Sequence, residues 1–286
     1  MFIGMKQRRM KGKNELGIRN YELGIISRPI HQFLFNYSFY ILLFLFIANI
    51  SFAQDTPIAF NKSYFNSYFT DTKDMIIAPF HWNGRQFEAA TSFVLVAATL
   101  SLEDIKIKNF FKRNRTTLTN NISKYVAEPW GSGIYSMAAM GLFYLEGAIF
   151  KDDRSKKVAM LGTKALVLSA GAVLIPKFLV QRHRPYQDES NQYLFQGPIT
   201  FNKYTSFTSG HATSAFAIAT VVASEYKEKP LVVIIAYTIA TLCGLSRLND
   251  NEHWASDVLC GAAFGYAMGK LIYNKNNWGV KQFKAP

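Results

Sequence analysis

Residues 231–245 read LVVIIAYTIATLCGL. The run is apolar around the whole circumference of the helix it would form, which marks a helix buried in protein or in lipid rather than one lying on a surface. Outward from it, further apolar segments lie at Ala89–Leu102, Ile134–Phe150, Val158–Val180, His211–Ser224 and Trp254–Tyr273, separated by short charged or Gly/Pro-containing turns. The pattern is that of an all-α bundle of about five to six helices embedded in a membrane. Several runs fall short of the roughly 20 residues a bilayer span needs, so a soluble helical bundle is the alternative. No repeat, low-complexity tract or heptad seam appears.

At 286 residues the chain accommodates one good-sized domain and a leader. Residues 33–53, FLFNYSFYILLFLFIANISFA, are strongly apolar and end in small residues at Ser51 and Ala53, just before Gln54. Residues 1–53 are therefore expected to be a basic leader and signal peptide, cleaved after Ala53. Retention as an anchor is the alternative. The basic stretch with Lys6, Arg8, Arg9, Lys11 and Lys13 is longer than an ordinary n-region, which leaves Met5 and Met10 open as starts. Residues 54–130 are expected to be an arm, irregular and polar to about Arg85, followed by a first helix; 131–274 form the core and 275–286 a tail.

Lysine and arginine number 32 against 19 acids, a net charge of +13. The excess is spread between apolar segments, with few of the aromatic-basic patterns that single-strand binders use, so nucleic acid is not an expected partner. There the basic residues face lipid headgroups, or simply form a solvated surface. If Gln54 is released outside and Ala89–Leu102 does not cross, the turns 151–157 (KDDRSKK) and 225–229 (EYKEK) and the tail with Lys275, Lys281 and Lys284 all lie inside. That places 181–208 and 248–252 on the periplasmic face of an inner membrane. The basic run Lys106–Lys124 is then outside as well, and if Ala89–Leu102 crosses, the faces exchange. Cys243 and Cys260 each sit within an apolar run, where small buried thiols are expected in place of a metal or redox site; a disulfide across neighbouring helices is the alternative.

Three blocks carry chemistry. In KFLVQRHRP (177–185), Lys177 ends an apolar helix and Arg184 precedes Pro185; alone this reads equally as charge that suits a helix C-terminus. In SFTSGHATSAF (206–216), Ser209 and Gly210 open an apolar helix, whose first N–H groups and positive dipole end make an anion site, or only an ordinary cap beside a chance His211. In SRLNDNEHWASD (246–257), His253 and Asp257 stand four apart at the start of an apolar helix. On one face, the carboxylate is expected to hold one imidazole nitrogen and leave the other free to attack; a structural surface pair is the bland alternative.

Together the blocks resemble the motifs of the type 2 phosphatidic acid phosphatase and vanadium haloperoxidase superfamily. Those are a lysine and an Arg-Pro with six residues between, a Pro-Ser-Gly-His, and a Ser-Arg followed by His and Asp, in the order found here. The resemblance covers roughly Gly131 to Tyr273 and departs at Thr208, where the family usually has proline; threonine can still cap the helix. It implies a metal-independent, membrane-associated lipid phosphatase with no cofactor. In it, Lys177, Arg184 and Arg247 would neutralise the phosphoryl oxygens, helped by the Ser209 hydroxyl and the Gly210 N–H. His253, oriented by Asp257, would attack phosphorus, His211 would protonate the leaving oxygen, and water would hydrolyse the phosphohistidine. Three fixed cations can do what magnesium does elsewhere, and no carboxylate cluster suggests a metal site. The expected partners are a phosphorylated lipid and the membrane. A phosphotransferase, a vanadate-dependent haloperoxidase on the same cradle, and a non-enzymatic membrane protein that kept the fold are the alternatives. Tyr186–Tyr204 and the arm are expected to select the substrate.

Overall fold

A computed structural model of the chain describes residues 60–200 and 204–282, so the leader, the cleavage site at Ala53 and the end of the tail lie outside the described residues. Helix α1 spans Lys62–Ile77 and opens on Asn61, whose side chain accepts the Tyr64 N–H. A 3₁₀ turn, Ala78–His81, leads to α2, Gly84–Ser101, which opens on a capping box made by Asn83 and Gln86. These helices correct the expected irregular arm. Only Tyr64 and Asp71 of α1 are buried, so its inward face is too sparse to register as an apolar period. The cap at Asn83 starts α2 ahead of its apolar run.

Then follow α3 (Asp104–Asn114), α4 (Thr117–Ile122), a π turn (Ser123–Ala127), α5 (Glu128–Gly131) and α6 (Ile134–Ile149). Helix α7 (Asp153–Ala172) passes through Val173 into α8 (Leu174–Val180). Pro176 has no N–H for the Ala172 carbonyl, which accounts for the division between the two. Helix α8 stops at Gln181, whose left-handed backbone (φ 43°) returns its N–H to the Lys177 carbonyl. After a 3₁₀ turn at Gly197–Thr200 come α9 (Gly210–Glu225), α10 (Pro230–Asn249) and α11 (Ala255–Gln282). The all-α expectation holds: besides helices, the described residues contain one isolated antiparallel bridge, between Arg182 and Phe195.

Helix α9 is the axis of the bundle, buried along nearly all its length and packed against α11, α10 and α7. Its contact with α11 is unusually close. A Cβ on Gly261, Gly265 or Gly269 would lie 2.5, 2.2 and 2.5 Å from the carbonyl oxygens of Ser209, Thr213 and Ala217 respectively. Glycine every fourth residue thus lets one backbone rest on another, a device of helices that pack in lipid. Leu161, Ala165, Ala217, Val221 and Ile272 form a fully enclosed cluster behind this seam.

The outer faces carry exposed large apolar side chains, among them Val94, Leu95, Leu145, Leu174, Ile175 and Ile234, more than scattered exposure would give. Asp153–Val180 and Pro230–Asn249 are long and apolar enough to cross a bilayer. The two ends of the bundle differ. At one, Arg154 pairs with Glu225 and Glu228, Lys157 with Glu225 at 2.8 Å, and Lys275 with Asp71 at 3.0 Å. Near that end the buried Lys164 holds Asp71 at 2.9 Å, fastening α1 to α7. At the other end the close of α8, the start of α9, the close of α10 and the start of α11 converge, and with them α3. Both cysteines are free.

Candidate active site

Helix termini bring the three blocks to one place. The segment before α9 is pinned by its backbone: the Ser206 N–H donates to the Arg182 carbonyl at 3.0 Å, and the Ser209 N–H to the Asp257 carbonyl at 3.1 Å. Ser209 caps α9, its Oγ accepting the Ala212 N–H at 3.4 Å while keeping its own O–H to donate. Gly210 is the first residue of that helix, and a Cβ there would stand 3.7 Å from Lys177 Cε. The ammonium of Lys177 donates to the Thr205 carbonyl at 2.5 Å.

Of the remaining groups of the three blocks, Arg184, Arg247 and His211 each face a carboxylate. Arg184 pairs with Glu252 and also donates to Thr205 Oγ1 at 3.2 Å. Arg247 donates to Asp250 at 2.5 Å, and His211 Nε2 lies 2.8 Å from Glu128 Oε1. The three carboxylates are each about a third exposed, so they form a rim that water and solutes reach. None was identified from the sequence. Asp250 and Glu252 lie unmarked within the third block, and Glu128, ahead of Pro129, precedes the region that carries the resemblance.

His253 is buried, and its Nδ1 lies 2.7 Å from the Ser206 carbonyl oxygen. A carbonyl can only accept, so Nδ1 carries the proton and Nε2 the lone pair. Burial first, then the charges of Lys177, Arg184 and His211, holds the imidazole well below its ordinary titration range. The His211 imidazole is held below its ordinary range as well, by burial first and then by the charge of Arg247. Lys177, Arg184, Ser209, Gly210, His211, Arg247 and His253 all lie at this end of the bundle, on or beside the helix termini just described.

Asp257 departs from its expected role. It does not hold His253; its Oδ1 accepts from Arg182 Nη1 at 2.7 Å, and its Oδ2 from Ser206 Oγ at 2.5 Å and the Trp254 N–H at 3.2 Å. The reason lies in where α11 begins. Its first residue is Ala255, so His253 precedes the helix and the rule for side chains four apart does not apply to it. Asp257, third in the helix, instead reaches back to the N–H of the residue before the helix, as the acid of a capping box does. Its tie to His253 is indirect, through Ser206, and Arg182 and Ser206 join the three carboxylates as residues that sequence reasoning missed.

Residues 156–280 match the sequence model of the PAP2 superfamily. The lipid A 1-phosphatase of Porphyromonas gingivalis is 36% identical over 118 residues, 41% of this chain and 23% of that protein. The decaprenylphosphoryl-5-phosphoribose phosphatase of Mycobacterium tuberculosis is 34% identical over 128 residues, 45% of this chain and 66% of that protein. The chain thus spans less than two thirds of these relatives' length, and under a quarter of the first. Among solved structures, a transmembrane PAP2-type phosphatidylglycerolphosphate phosphatase from Bacillus subtilis aligns over 78% of this chain and 98% of its own, with 21% identity and a TM-score of 0.46.

Proposed function

The chain belongs to the PAP2 superfamily, and from that premise we propose that it is a membrane phosphatase. It removes phosphate from a lipid phosphomonoester or pyrophosphate, without a metal ion, through a phosphohistidine on His253. The observation that carries this reading is the state of His253. It is a buried imidazole held neutral, with Nδ1 bound to a carbonyl and Nε2 left as nucleophile, among Lys177, Arg184 and His211.

A phosphoryl group enters by taking Arg184 from Glu252 and Arg247 from Asp250, with Lys177 and the N-terminus of α9 completing the cradle. Nε2 attacks phosphorus, the P–N bond forms as the P–O bond breaks, and His211 gives its proton to the departing oxygen. The Ser206 carbonyl steadies the cation that His253 becomes. Water then attacks phosphorus, His253 leaves, and the water's proton returns to His211. Because phosphoryl transfer is mainly positioning and charge stabilisation, these cations suffice.

A lipid substrate fits the exposed apolar flanks and the relatives' names, which refer to lipid A and a decaprenyl lipid. The site faces the periplasm in this reading, supported by the gathering of 151–157, 225–229 and Lys275 at the opposite end of the bundle. The deciding experiment is phosphate release by the purified protein from a panel of lipid phosphates and pyrophosphates, with soluble sugar phosphates as controls. His253→Ala should abolish turnover, and base-stable label from phosphate-labelled substrate should appear in His211→Ala and vanish in His253→Ala. Normal turnover by His253→Ala would sink the mechanism.

A further inference from the structure

Arg182 stands two residues before the arginine of the first block but turns away from the cradle. It is 2% exposed and lies between Asp104 and Asp257, neither of which is exposed at all. Nη1 donates to Asp257 Oδ1 at 2.7 Å and to Ser256 Oγ at 2.8 Å; Nη2 donates to Asp104 Oδ2 at 2.8 Å. Nε and Nη2 share the Gln192 carbonyl at 2.9 and 2.7 Å, and the guanidinium stands 5.3 Å from the Trp254 ring centre. Asp104 also accepts the Ser256 N–H at 2.9 Å and Ser256 Oγ at 2.5 Å. Helix α11 is therefore capped twice, by Asp257 from within and by Asp104 from α3.

Both caps bear on one carbonyl. Ser206 is gripped at its N–H by the Arg182 carbonyl and at its Oγ by Asp257, and its own oxygen takes the proton of His253 Nδ1. We infer that Arg182 and Asp104 are positioning residues for His253: they hold Asp257 and the start of α11, and through Ser206 they set the tautomer and direction of the imidazole. The inference rests on the reading of His253 as nucleophile. Asp104 lies outside residues 156–280, so the arm supplies part of the geometry of the catalytic half.

Removing the arginine alone would leave two buried carboxylates uncompensated, with a risk to folding. Asp104→Asn keeps shape and keeps an acceptor for Ser256, and it is the main test. Its partners are Ser206→Ala, which removes the grip of Asp257 but keeps the carbonyl, and the pair Arg182→Gln and Arg182→Lys. The full-length proteins are purified in detergent, and single-turnover labelling of His253 from a phosphate-labelled short-chain phosphatidate is followed. The labelling amplitude counts competent molecules; the rate constant reports positioning, which a merely structural role leaves unchanged.

For Asp104→Asn we expect a labelling rate and kcat lowered about 10- to 100-fold, with KM within about threefold, since a small displacement of a reacting group has this effect. Asp104→Asn with Ser206→Ala should be no slower than the slower single variant, because both act through one carbonyl. Arg182→Lys should recover part of the rate that Arg182→Gln loses. Amplitude lost at an unchanged rate constant would overturn the inference, as would effects that multiply in the double variant. Absence of label in the wild-type protein would instead remove the histidine reading itself.

Discussion

Replacing Gly261 by alanine would place a methyl carbon 2.5 Å from the Ser209 carbonyl oxygen, with Thr213 Oγ1 at 3.2 Å and Ala212 Cβ at 3.3 Å. Carbon and oxygen settle at about 3.3 Å or more even in close helix contacts, so the helices must part there by roughly 0.8 Å. The obstacle is backbone and cannot swing aside. Alanine gains at most about 1 kcal/mol in helix propensity, against about 1–3 kcal/mol for overpacking, so the net loss of stability is modest. The effect on turnover should be larger because of where the shift falls. Ser209 caps the helix that presents Gly210 and bonds the Asp257 carbonyl at 3.1 Å, whereas His253 lies two residues before the first residue of α11. Parting α9 from α11 therefore draws the proposed anion site away from the proposed nucleophile, and a displacement near 1 Å can lower a rate about 100-fold. We expect kcat of Gly261→Ala on a short-chain lipid phosphate to fall about 10- to 100-fold while thermal unfolding in detergent shifts by a few degrees. Gly141→Ala on α6, whose Cβ would meet nothing within 4 Å, is the control and should keep its kcat. A Gly261→Ala protein with wild-type kcat would refute the claim that the glycine seam sets the distance between cradle and nucleophile.

If His253 attacks as proposed it must be neutral, and since burial followed by Lys177 and Arg184 holds its pKa well below the ordinary range, kcat/KM should show no loss from this group until the pH is well under about 6.5. Arg184→Gln removes one of those cations and should move the acid limb to higher pH; an unmoved limb would count against His253. Activity should persist in excess chelator and be inhibited by vanadate, whose trigonal-bipyramidal form resembles the transition state. Loss in chelator restored by magnesium or zinc would mean that the cations are not sufficient. For the face of the site, Ser190 and Asn274 are exposed at opposite ends of the bundle. In a background lacking Cys243 and Cys260, Ser190→Cys should react with an impermeant thiol reagent in cells with a leaky outer barrier, and Asn274→Cys only once the inner membrane is opened. The reverse pattern would mean that α2 crosses and that the site serves the cytoplasmic leaflet.

What could be read in the sequence follows from what local pattern encodes. Leu231–Leu245 announces its helix because it is apolar on every side, and Lys177, Arg184, Ser209, Gly210, His211, Arg247 and His253 are found together because their spacing is tied to helix ends. Helix α1 escaped notice because Tyr64 and Asp71 alone make its buried face, and Asp71 finds its partners far along the chain, at Lys164, 93 residues away, and at Lys275. The pairing of Asp257 with His253 was misjudged on a two-residue matter, the start of α11 at Ala255, which side-chain spacing does not reveal. Glu128, Asp104 and Arg182 acquire their importance wholly from long-range contacts. No local pattern marks them.

A cradle of unpartnered cations would hold inorganic phosphate tightly and be slow to shed it as product. In this chain Arg184 and Arg247 rest on Glu252 and Asp250, and His211 on Glu128, so under the proposed function the site would work as an ion exchanger loaded with internal counterions. Its selectivity for an anion is the difference between a phosphate and three tethered carboxylates, a small remainder of large terms. A free phosphate must win that exchange on charge alone. A lipid phosphate adds the burial of its apolar part, at about 0.8 kcal/mol per CH₂. If the chain acts on a lipid phosphate as proposed, the rim would favour the tailed anion on entry and help to sweep the tailless one out.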